Sequence, residues 1–570
     1  MQPRPRFLHA LLASFAALLL AVLLPASAPG QAYAGRPKLI VIVVIDQFRG
    51  DYLNRDHAKF KGRGFRLFTD EGAWFTDCYF DYANTKTAPG HATIGTGAYS
   101  DGHGIESNEF WDASRSWDKK VTSVEDERYQ LVDLPAASIP ANQPGAPDTA
   151  LKYVIGASPR NLRATTVGDE LRLATNGRSR VYGISLKDRA AILPAGQAAN
   201  AAYWIDNSSG RFTTSTYYME HLPEWARAFN ASGRAAQAAR EAKVEGATQF
   251  FKQVGGNPAA NRYELDFAKA LITGENLGRS GVTDMMVVSL SANDIQGHQL
   301  GPDSDSEEQM ILSLDRDLDG FNTWLDKTIG LDNVWMALTA DHGVAPISAE
   351  AAKLGIHSAV VDMQAVYAKL NMELNARYSP GEKVKYLLPG PDLPYIVLDR
   401  RAFEQVKIDE KTAEEAVSAL LPQAIASLTP PTETTLPAQH RLAPTAQIAG
   451  IYTRLALAHG ELPPSELGRL LAHSYVEHGN WYVMLLLGAY QMEGAPGWSG
   501  TTHFSPWSYD RHVPLAFYGA PFVPGEYHER VAPVDLAATL ASLAGINQPS
   551  AAVGRILKEA LKPTRPTGEK

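Results

Sequence analysis

Five short apolar runs recur along the chain, and each has a length that suits a buried β-strand. The first, Leu39 to Ile45, contains seven apolar residues in succession, most of them β-branched. A continuous apolar run predicts a parallel strand covered on both faces, because a half-exposed strand would alternate apolar and polar residues. The other four runs are Val181 to Leu186, Met285 to Leu290, Val334 to Leu338 and Val513 to Phe517.

Amphipathic patterns separate these apolar runs. The clearest follows the acidic pair Glu307 and Glu308 and places apolar residues at helical spacing, at Ile311, Leu314, Leu318, Phe321 and Leu325. Alternating strands and helices predict an α/β fold with a mostly parallel central sheet flanked by helices. Ligands of such sheets bind beyond the carboxyl ends of the strands, so Asp46, which directly follows the first run, lies where chemistry is expected.

The amino-terminal segment, residues 1–34, predicts a signal peptide. Arg4 and Arg6 precede an apolar run from Leu11 to Leu24, and Ala32-Tyr33-Ala34 supplies a small-residue cleavage site. The run is shorter than the roughly 20 apolar residues that cross a bilayer, which argues against a membrane anchor. The segment contains no cysteine, which excludes a lipoprotein anchor. We therefore expect a periplasmic or extracellular protein with no stable membrane anchor after cleavage.

Residues 35–570 predict one catalytic domain with two insertions, around residues 110–160 and 345–496. Within the first, Leu134 to Pro147 contains four prolines and predicts an irregular surface loop. The second carries its own helical patterns, of which Thr412 to Leu421 and Ser465 to His473 are the clearest. These insertions predict cap-like additions to the central sheet.

Charge and cysteine content narrow the functional classes. The formal net charge is −9, and no basic face for nucleic acid is evident. Cys78 is the only cysteine, so an exported chain must be stable without an internal disulfide. Since Cys78 follows Trp74 and Phe75 in an apolar segment, we interpret it as a buried packing residue and not as a nucleophile.

Residues of metal-ligand type recur after the predicted strands. They are three carboxylates and three imidazoles, at Asp46, Asp294, His298, Asp341, His342 and His503. Two zinc ions, each with three protein ligands and one open position, need six such ligands. Asp294 and His298 are four residues apart, so one helical turn would point both to one side. Taken singly, Asp46 could cap a helix, His298 could be a surface histidine and His503 a loop residue, but all six together favour a metal site.

A second cluster, TKTAPGH, contains Thr87 followed by Pro89 and small residues. This pattern predicts a helix start, where backbone N–H groups and the helix dipole favour a phosphoryl oxygen. A threonine hydroxyl is a weak nucleophile, and contact with zinc would lower its pKa. On this cluster alone, an N-cap role for Thr87 is the preferred alternative.

The ordered motifs together resemble the alkaline phosphatase superfamily, and within it the bacterial alkaline phosphatases with a threonine nucleophile. The matching segments are VVIDQFRGDYL, TKTAPGHATIGTG, HGIESNEFWD, SLKDRAAILPAG, SANDIQGH, TADHG and GTTHFSPWSYDRHVPLAFYG. The resemblance implies that the phosphoryl group is transferred to Thr87, giving a phosphothreonine that water then hydrolyses. It also implies broad specificity for small-molecule phosphate monoesters.

The resemblance assigns the ligands to two zinc ions. One would be held by Asp46, Asp341 and His342 close to Thr87, and the other by Asp294, His298 and His503. The serine-nucleophile relatives carry an additional magnesium site, and the resemblance implies that Lys187 fills that space here. No third metal, and specifically no Mg²⁺ site, is therefore expected.

Three further residues, Asn108, Lys187 and Arg189, match the family's substrate-binding positions. Two cations and an amide directed at the non-bridging oxygens would favour a monoester dianion over a diester. We expect Lys187 and Arg189 to lie on one face of a strand end, with Asp188 on the other face. The alternative is that Lys187 and Arg189 are exposed charges without a catalytic role.

Four other functions compete with that of a phosphate monoesterase. A phosphodiesterase or nucleotide pyrophosphatase of the same fold would use the same metals and Thr87, and weak diesterase activity is expected in any case. A sulfatase would need a Cys or Ser in a C/S-x-P-x-R context, which the chain lacks, and a cofactor-independent phosphoglycerate mutase would not carry an export signal. A non-catalytic phosphate-binding protein is less favoured, because the nucleophile and all six ligands are present.

Overall fold

A computed structural model describes residues 35–134, 155–244, 246, 248–428, 446–477, 480–495 and 497–563. The predicted signal peptide, residues 1–34, lies outside the described residues, as does most of the predicted proline-rich loop. In the described part of the chain, no helix is long and apolar enough to cross a membrane.

The described strands are, in chain order, β1 (Leu39–Ile45), β2 (Ala73–Phe75), β3 (Glu109–Phe110), β4 (Val121–Thr122), β5 (Glu125–Gln130), β6 (Ile155–Ala157), β7 (Val181–Ser185), β8 (Ala201–Ile205), β9 (Phe212–Thr213), β10 (Asp284–Leu290), β11 (Val334–Thr339), β12 (Ala359–Val361), β13 (Tyr395–Val397), β14 (Ile448–Thr453), β15 (Tyr482–Leu487), β16 (Gln491–Glu493), β17 (Leu515–Tyr518) and β18 (Gly525–Tyr527).

The described α-helices are α1 (Tyr52–Arg55), α2 (Arg66–Thr69), α3 (Thr87–Thr96), α4 (Ser100–His103), α5 (Val167–Ala174), α6 (Asp188–Ala195), α7 (Glu224–Ala231), α8 (Arg234–Glu241), α9 (Phe250–Val254), α10 (Pro258–Gly274), α11 (Ala292–Leu300), α12 (Asp305–Thr328), α13 (Ser348–Lys353), α14 (Met363–Tyr378), α15 (Arg400–Gln405), α16 (Glu410–Leu428), α17 (Arg454–Ala458), α18 (Glu466–Ser474), α19 (Ser508–Arg511) and α20 (Val534–Ala544). Short 3₁₀ turns lie at His57–Lys59, Leu331–Asn333 and Lys558–Ala560.

Within the described residues, the central sheet has nine strands in the order β18-β2-β17-β11-β1-β10-β7-β8-β9. Strand β1 pairs in parallel with both β10 and β11, and β10 pairs in parallel with β7. The predicted α/β fold with a mostly parallel sheet is therefore confirmed. One predicted strand, Val513 to Phe517, differs in detail: the strand spans Leu515–Tyr518 and runs antiparallel to β11.

The apolar run of β1 explains its central place in the sheet. All seven of its side chains are buried, and β10 and β11 pair with its two edges. Helix α12 packs with its apolar stripe inward, so Ile311, Leu314 and Leu318 join the main core. Cys78 is buried in the same core as a free thiol, as the sequence predicts.

The order of the strands determines which polar residues meet at the carboxyl edge. Strands β11, β1, β10 and β7 are consecutive neighbours. The residues that follow them are Asp341, Asp46, Asp294 and Lys187 respectively. Because all four strands are parallel, these side chains form a row along one edge of the sheet.

A second hydrophobic cluster, separate from the main core, gathers residues between Val361 and Leu487. It contains α14, α16 and the three-stranded antiparallel sheet β13-β15-β14. All of it falls inside the predicted second insertion, and we call it the cap. The exact boundaries of the two insertions remain a prediction.

Candidate active site and metal centre

Three buried side-chain atoms meet at the carboxyl end of β1. The Nε2 atom of His342 lies 3.4 Å from Oδ1 of Asp46 and 3.4 Å from Oδ2 of Asp341. Each of these three atoms is buried without a hydrogen-bond partner among the described residues. A buried polar atom without a partner is costly, so a shared partner for all three is expected.

The spacing of these atoms fits a metal ion. Ligand atoms that each lie about 2.0–2.2 Å from one tetrahedral ion are about 3.3–3.6 Å from one another. The two measured distances of 3.4 Å fall in that range. Two carboxylates and one imidazole are also a donor set that divalent cations accept.

A second group of ligand type lies beside the first. One atom from each of Asp294, His298 and His503 is within 4.8 Å of the others. Asp294 Oδ1 lies 3.1 Å from His298 Nε2 and 3.7 Å from His503 Nε2. Asp294 and His298 occupy one face of α11, as their four-residue spacing predicts. Asp46, Asp294 and His342 also group within 4.8 Å, so the two triads adjoin.

The three imidazoles share one hydrogen-bonding pattern. The Nδ1 atom of His298 lies 2.8 Å from the Thr501 carbonyl oxygen, and that of His342 lies 3.0 Å from the Gly343 carbonyl oxygen. Nδ1 of His503 contacts the Thr85 carbonyl oxygen. Because a carbonyl oxygen only accepts, Nδ1 carries a proton in each ring, and the Nε2 atom of each ring faces the triads.

Electrostatics favour the neutral ligand form of two of these histidines. Burial lowers the pKa of His503 well below its usual range, and the neighbouring His342 and His298 lower it further. Burial also lowers the pKa of His342. The neutral imidazole is the form that coordinates metals, so both rings are ready to do so. Burial and the adjacent carboxylates of Asp294 and Asp341 raise the pKa of Asp46, a like-charge repulsion that a cation would relieve.

Lys187 lies between the two triads. Its Nζ donates to Asp294 Oδ2 at 2.6 Å and also to Asp46 Oδ2. Burial opposes the charged form, but Asp294 and Asp46 outweigh it and raise the pKa of Lys187. Lys187 is therefore a buried ammonium in contact with one carboxylate of each triad, which excludes the alternative that it is an exposed charge.

The strand-based reason for grouping Lys187 with Arg189 is wrong. Strand β7 ends at Ser185, and α6 begins at Asp188, so neither basic residue belongs to a strand. Lys187 is the residue that precedes the helix, and Arg189 lies in its first turn. Strand alternation therefore does not orient them. The Arg189 Nε atom is nevertheless buried without a partner in the described part of the chain, as expected for a group that binds an anion.

Thr87 is the first residue of α3, and the N-cap position belongs to Lys86. The N-cap alternative for Thr87 is therefore wrong. The Asn108 Oδ1 atom accepts the backbone N–H of Ala88 at 2.8 Å. This contact fixes Asn108 beside the start of α3, with its amide NH₂ as the group that remains for donation.

Helix α3 contacts the first triad through Asp341. His91, one turn after Thr87, has Nδ1 at 2.8 Å from the Thr87 carbonyl oxygen and 3.2 Å from Asp341 Oδ2. Its Nε2 lies 2.7 Å from Ser289 Oγ. Gly90 faces Asp341 directly, and a Cβ there would lie 2.7 Å from the Asp341 Cβ. The start of the helix thus packs against Asp341, a predicted ligand.

The cap also holds the start of α3. Lys86 is almost fully buried, and its Nζ donates to Asp392 Oδ1 at 2.6 Å and to Ser107 Oγ at 3.1 Å. Two residues earlier, Asn84 lies 3.4 Å from the Tyr395 hydroxyl. Asp392 and Tyr395 belong to the insertion, so the segment that leads into Thr87 is attached to both the sheet and the cap.

Sequence reasoning missed two residues that support the ligands. Gln47 donates its backbone N–H to Asp341 Oδ1 at 3.1 Å and its side-chain Nε2 to Asp294 Oδ1 at 2.8 Å. Asn293 donates its Nδ2 to the carbonyl oxygens of Asp46 and Gln47. Each directly neighbours a predicted ligand in the sequence, and this adjacency could have identified both as supporting residues.

The chain matches a known family model. The model for type I phosphodiesterase / nucleotide pyrophosphatase matches residues 40–499. This range includes every predicted site residue except His503.

Similar proteins cover nearly the whole chain. Alkaline phosphatase PhoV of Synechococcus elongatus is 32% identical over 92% of this chain and 93% of its own length. A protein of Myroides odoratus named calcium-transporting ATPase is 30% identical over 92% of this chain and 95% of its own. The crystal structure of wild-type alkaline phosphatase PafA is 29% identical, covers 93% of this chain and 100% of that chain, and superposes with a TM-score of 0.78.

Proposed function

The chain belongs to the alkaline phosphatase branch of the type I phosphodiesterase/nucleotide pyrophosphatase family, and we propose that it uses zinc to hydrolyse phosphate monoesters. The observation that carries the proposal is the pair of adjoining triads, with three partnerless buried atoms in one and three ligand atoms within 4.8 Å in the other. Metal cofactors fit both sets, and zinc matches their nitrogen and oxygen donors.

The proposed cofactors are two Zn²⁺ ions and no Mg²⁺. Asp46, Asp341 and His342 would hold one ion, and Asp294, His298 and His503 the other. Such ions would lower the pKa of a hydroxyl or water and offset the charge of phosphoryl oxygens. Lys187 supports the absence of a third ion, because its ammonium already pairs with Asp46 and Asp294.

The proposed nucleophile is Thr87. Thr87 is the first residue of α3, and the positive end of the helix dipole at this position favours a phosphoryl group. Attack by the Thr87 oxygen on phosphorus forms a phosphothreonine, and the leaving alcohol departs with the bridging oxygen. Water then attacks the same phosphorus, phosphate departs and the Thr87 hydroxyl is regenerated.

Monoester specificity is proposed to come from Asn108, Lys187 and Arg189. The Asn108 Oδ1 is occupied by Ala88, so its NH₂ is available to donate to a non-bridging oxygen. The buried Arg189 Nε has no partner among the described residues, and Lys187 remains charged. Three donors for one phosphoryl group suit a dianion better than a diester, which carries one charge less.

A phosphodiesterase is the alternative, and the family description alone fits it equally well. The test is kcat/KM for an aryl phosphate monoester and its matched diester, with ATP as a third substrate, on zinc-replete protein. A large monoester preference supports the proposal, whereas a diester preference would keep the metals and Thr87 but reassign the substrate. A non-catalytic phosphate-binding protein would turn over none of the three substrates.

Two chemical tests address the metals and the nucleophile. EDTA is expected to abolish activity and zinc to restore it, and full activity in a protein that metal analysis shows to be stripped would exclude the metal mechanism. Acid-quenched protein is expected to carry phosphate on Thr87, and Thr87→Ala is expected to lack it. Phosphate trapped on another residue would reassign the nucleophile.

We also propose that the protein is exported, with residues 1–34 as a cleaved signal peptide and the mature chain in the periplasm or medium. The small-residue cleavage site before Gly35 supports this proposal. Amino-terminal sequencing of the secreted protein is expected to begin at Gly35. A mature protein that retains Met1 would contradict the cleavage.

A further inference from the structure

Gln47 has an unusual backbone conformation for a buried residue with a side chain. Its φ angle is 62°, in the left-handed region, and the residue is 1% exposed. Residues other than glycine adopt this region at a cost, and such positions persist when the surrounding structure holds them. Gln47 directly follows Asp46, so this conformation turns the chain at the carboxyl end of the central strand.

The left-handed turn directs two donors of one residue to two different ligands. The backbone N–H of Gln47 reaches Asp341 Oδ1 at 3.1 Å, and the side-chain Nε2 reaches Asp294 Oδ1 at 2.8 Å. Asp341 and Asp294 belong to different triads, and they follow strands β11 and β10, which lie on opposite sides of β1. Because a carboxylate only accepts, the amide nitrogen must be the atom that faces Asp294.

Hydrogen bonds from Asn293 and close packing against Gly297 fix the position of Gln47. Asn293 donates to the Gln47 carbonyl oxygen at 3.1 Å and to the Asp46 carbonyl oxygen at 3.0 Å, so both ends of the turn are fixed. Gly297 lies on α11 against Gln47 Oε1, where a Cβ would overlap that oxygen and lie 3.3 Å from the Gln47 Cδ. The side chain therefore occupies a notch in the helix that carries Asp294 and His298.

We infer that Gln47 is a positioning residue that sets the two metal triads relative to each other, with its side-chain amide acting on the Asp294 triad and its backbone N–H on Asp341. The inference rests on the proposed two-metal function. Asp294 Oδ1 is also the atom nearest His298 and His503, so the amide orients the carboxylate oxygen on which the second triad is centred. A substitution that removes only the amide should then weaken one metal site and spare the other.

The experiment measures the affinity of each metal site, by chelator competition with zinc and by the absorption of the cobalt-substituted protein. Gln47→Met keeps the size of the side chain and removes the donor. We expect it to weaken the Asp294 site by about 10–100-fold and to leave the Asp46 site within about threefold. Gln47→Gly removes the same donor and the unfavourable Cβ, so it is expected to weaken the same site and to be more stable than Gln47→Ala.

Lys407 supplies the matched control. It is exposed, lies in the cap and has a φ angle of 60°, nearly that of Gln47. Lys407→Gly is expected to be more stable than Lys407→Ala, like the pair at position 47, but to change neither metal affinity. Gln47→Met keeps the Cβ and therefore the backbone strain, so a metal effect that Gln47→Met and Gln47→Gly share reports the loss of the amide and not the relief of strain.

The outcomes separate the inference from the function on which it rests. If the wild-type protein binds two ions and Gln47→Met keeps both affinities, the inference is wrong and the proposed function stands. If Gln47→Met weakens both sites equally, Gln47 is a general structural residue and the inference is also wrong. If the wild-type protein binds metal at neither site, the proposed function and the inference fail together.

Discussion

Gly90 of helix α3 lies against the backbone of Asp341, and a Cβ added at Gly90 would overlap the Asp341 carbonyl oxygen. Backbone cannot move aside as a flexible side chain can, so Gly90→Ala must displace either the helix that begins with Thr87 or the ligand Asp341. We expect kcat/KM for a phosphate monoester to fall by about 10²-fold or more, because a shift of about 1 Å misplaces reacting groups. Steady-state kinetics and metal content measure the effect.

Gly320 is the matched control for that substitution. It also lies inside a helix, α12, but a Cβ there would meet nothing within 4 Å. Gly320→Ala is expected to keep full activity and to stabilise the protein by up to about 1 kcal/mol. Unchanged kinetics for Gly90→Ala would contradict the tight packing of α3 on Asp341.

Lys187→Ala tests whether the buried ammonium recognises substrate charge. We expect monoester turnover to fall by about 10²-fold or more, and diester turnover to fall much less, because a diester presents less charge to the lost cation. Since Lys187 also pairs with Asp46 and Asp294, zinc content is measured alongside. Equal losses on both substrates with unchanged zinc content would make Lys187 a structural residue.

The ion pair of Lys86 and Asp392 tests how firmly the cap holds the start of α3. The Lys86 side chain is 1% exposed and that of Asp392 28%. Burial alone would raise the pKa of Asp392, but Lys86 and Lys120 lower it, so the carboxylate is charged. Asp392→Asn leaves a buried ammonium without its counter-ion, and we expect a loss of about 3 kcal/mol of stability.

A double substitution provides the check on this pair. Lys86→Met combined with Asp392→Asn removes both charges, so it is expected to be more stable than Asp392→Asn alone. Thermal unfolding of the single and double variants gives the comparison, and strictly additive losses would exclude a coupled pair. Glu350→Gln, in an ion pair whose side chains are 67% and 51% exposed, is the surface control, with an effect below about 1 kcal/mol.

The buried carboxyl of Glu307 predicts a pH dependence of stability. Burial raises its pKa from 4.5 to about 8, although the hydrogen bond from Gln296 opposes the shift. An acid with a raised folded-state pKa contributes stability that is present at low pH and is lost as pH rises through about 8. Glu307→Gln cannot ionise, so its melting temperature relative to wild type is expected to rise between about pH 5 and pH 9.

The control for this titration is Glu415→Gln, at a side chain that is 61% exposed. Its melting temperature relative to wild type is expected to stay constant over the same pH range. A Glu307→Gln difference that is equally constant would show that Glu307 does not hold its proton in the folded protein.

The positions of the candidate ligands at strand ends and on a helix face could be predicted from the sequence, because those positions depend on local pattern. Asp46 directly follows an unbroken apolar run, and Asp294 and His298 have helical spacing, so strand ends and helix faces could be predicted before the fold was known. The order of β11, β1, β10 and β7 could not be predicted, because it depends on pairing between segments hundreds of residues apart. That order decides which ligands are neighbours.

Predictions failed where a local rule was applied across an element boundary. Strand alternation was used for Lys187 and Arg189, but β7 stops at Ser185 and a helix turn governs both residues. The N-cap alternative for Thr87 rested on residue type, whereas the helix begins one residue earlier than that alternative requires. The Lys86–Asp392 pair joins positions 306 residues apart, and no local pattern signals it.

His503 lies beyond the whole cap in sequence, yet it completes a triad with Asp294 and His298. Its ring is fixed by the Thr85 carbonyl oxygen, close to the start of the chain's described part. Synthesis runs from the amino terminus, so five of the six predicted ligands are made long before the last one. The second triad is complete only after the cap has been synthesised, so under the proposed two-metal function the second ion can bind only once residue 503 has been made.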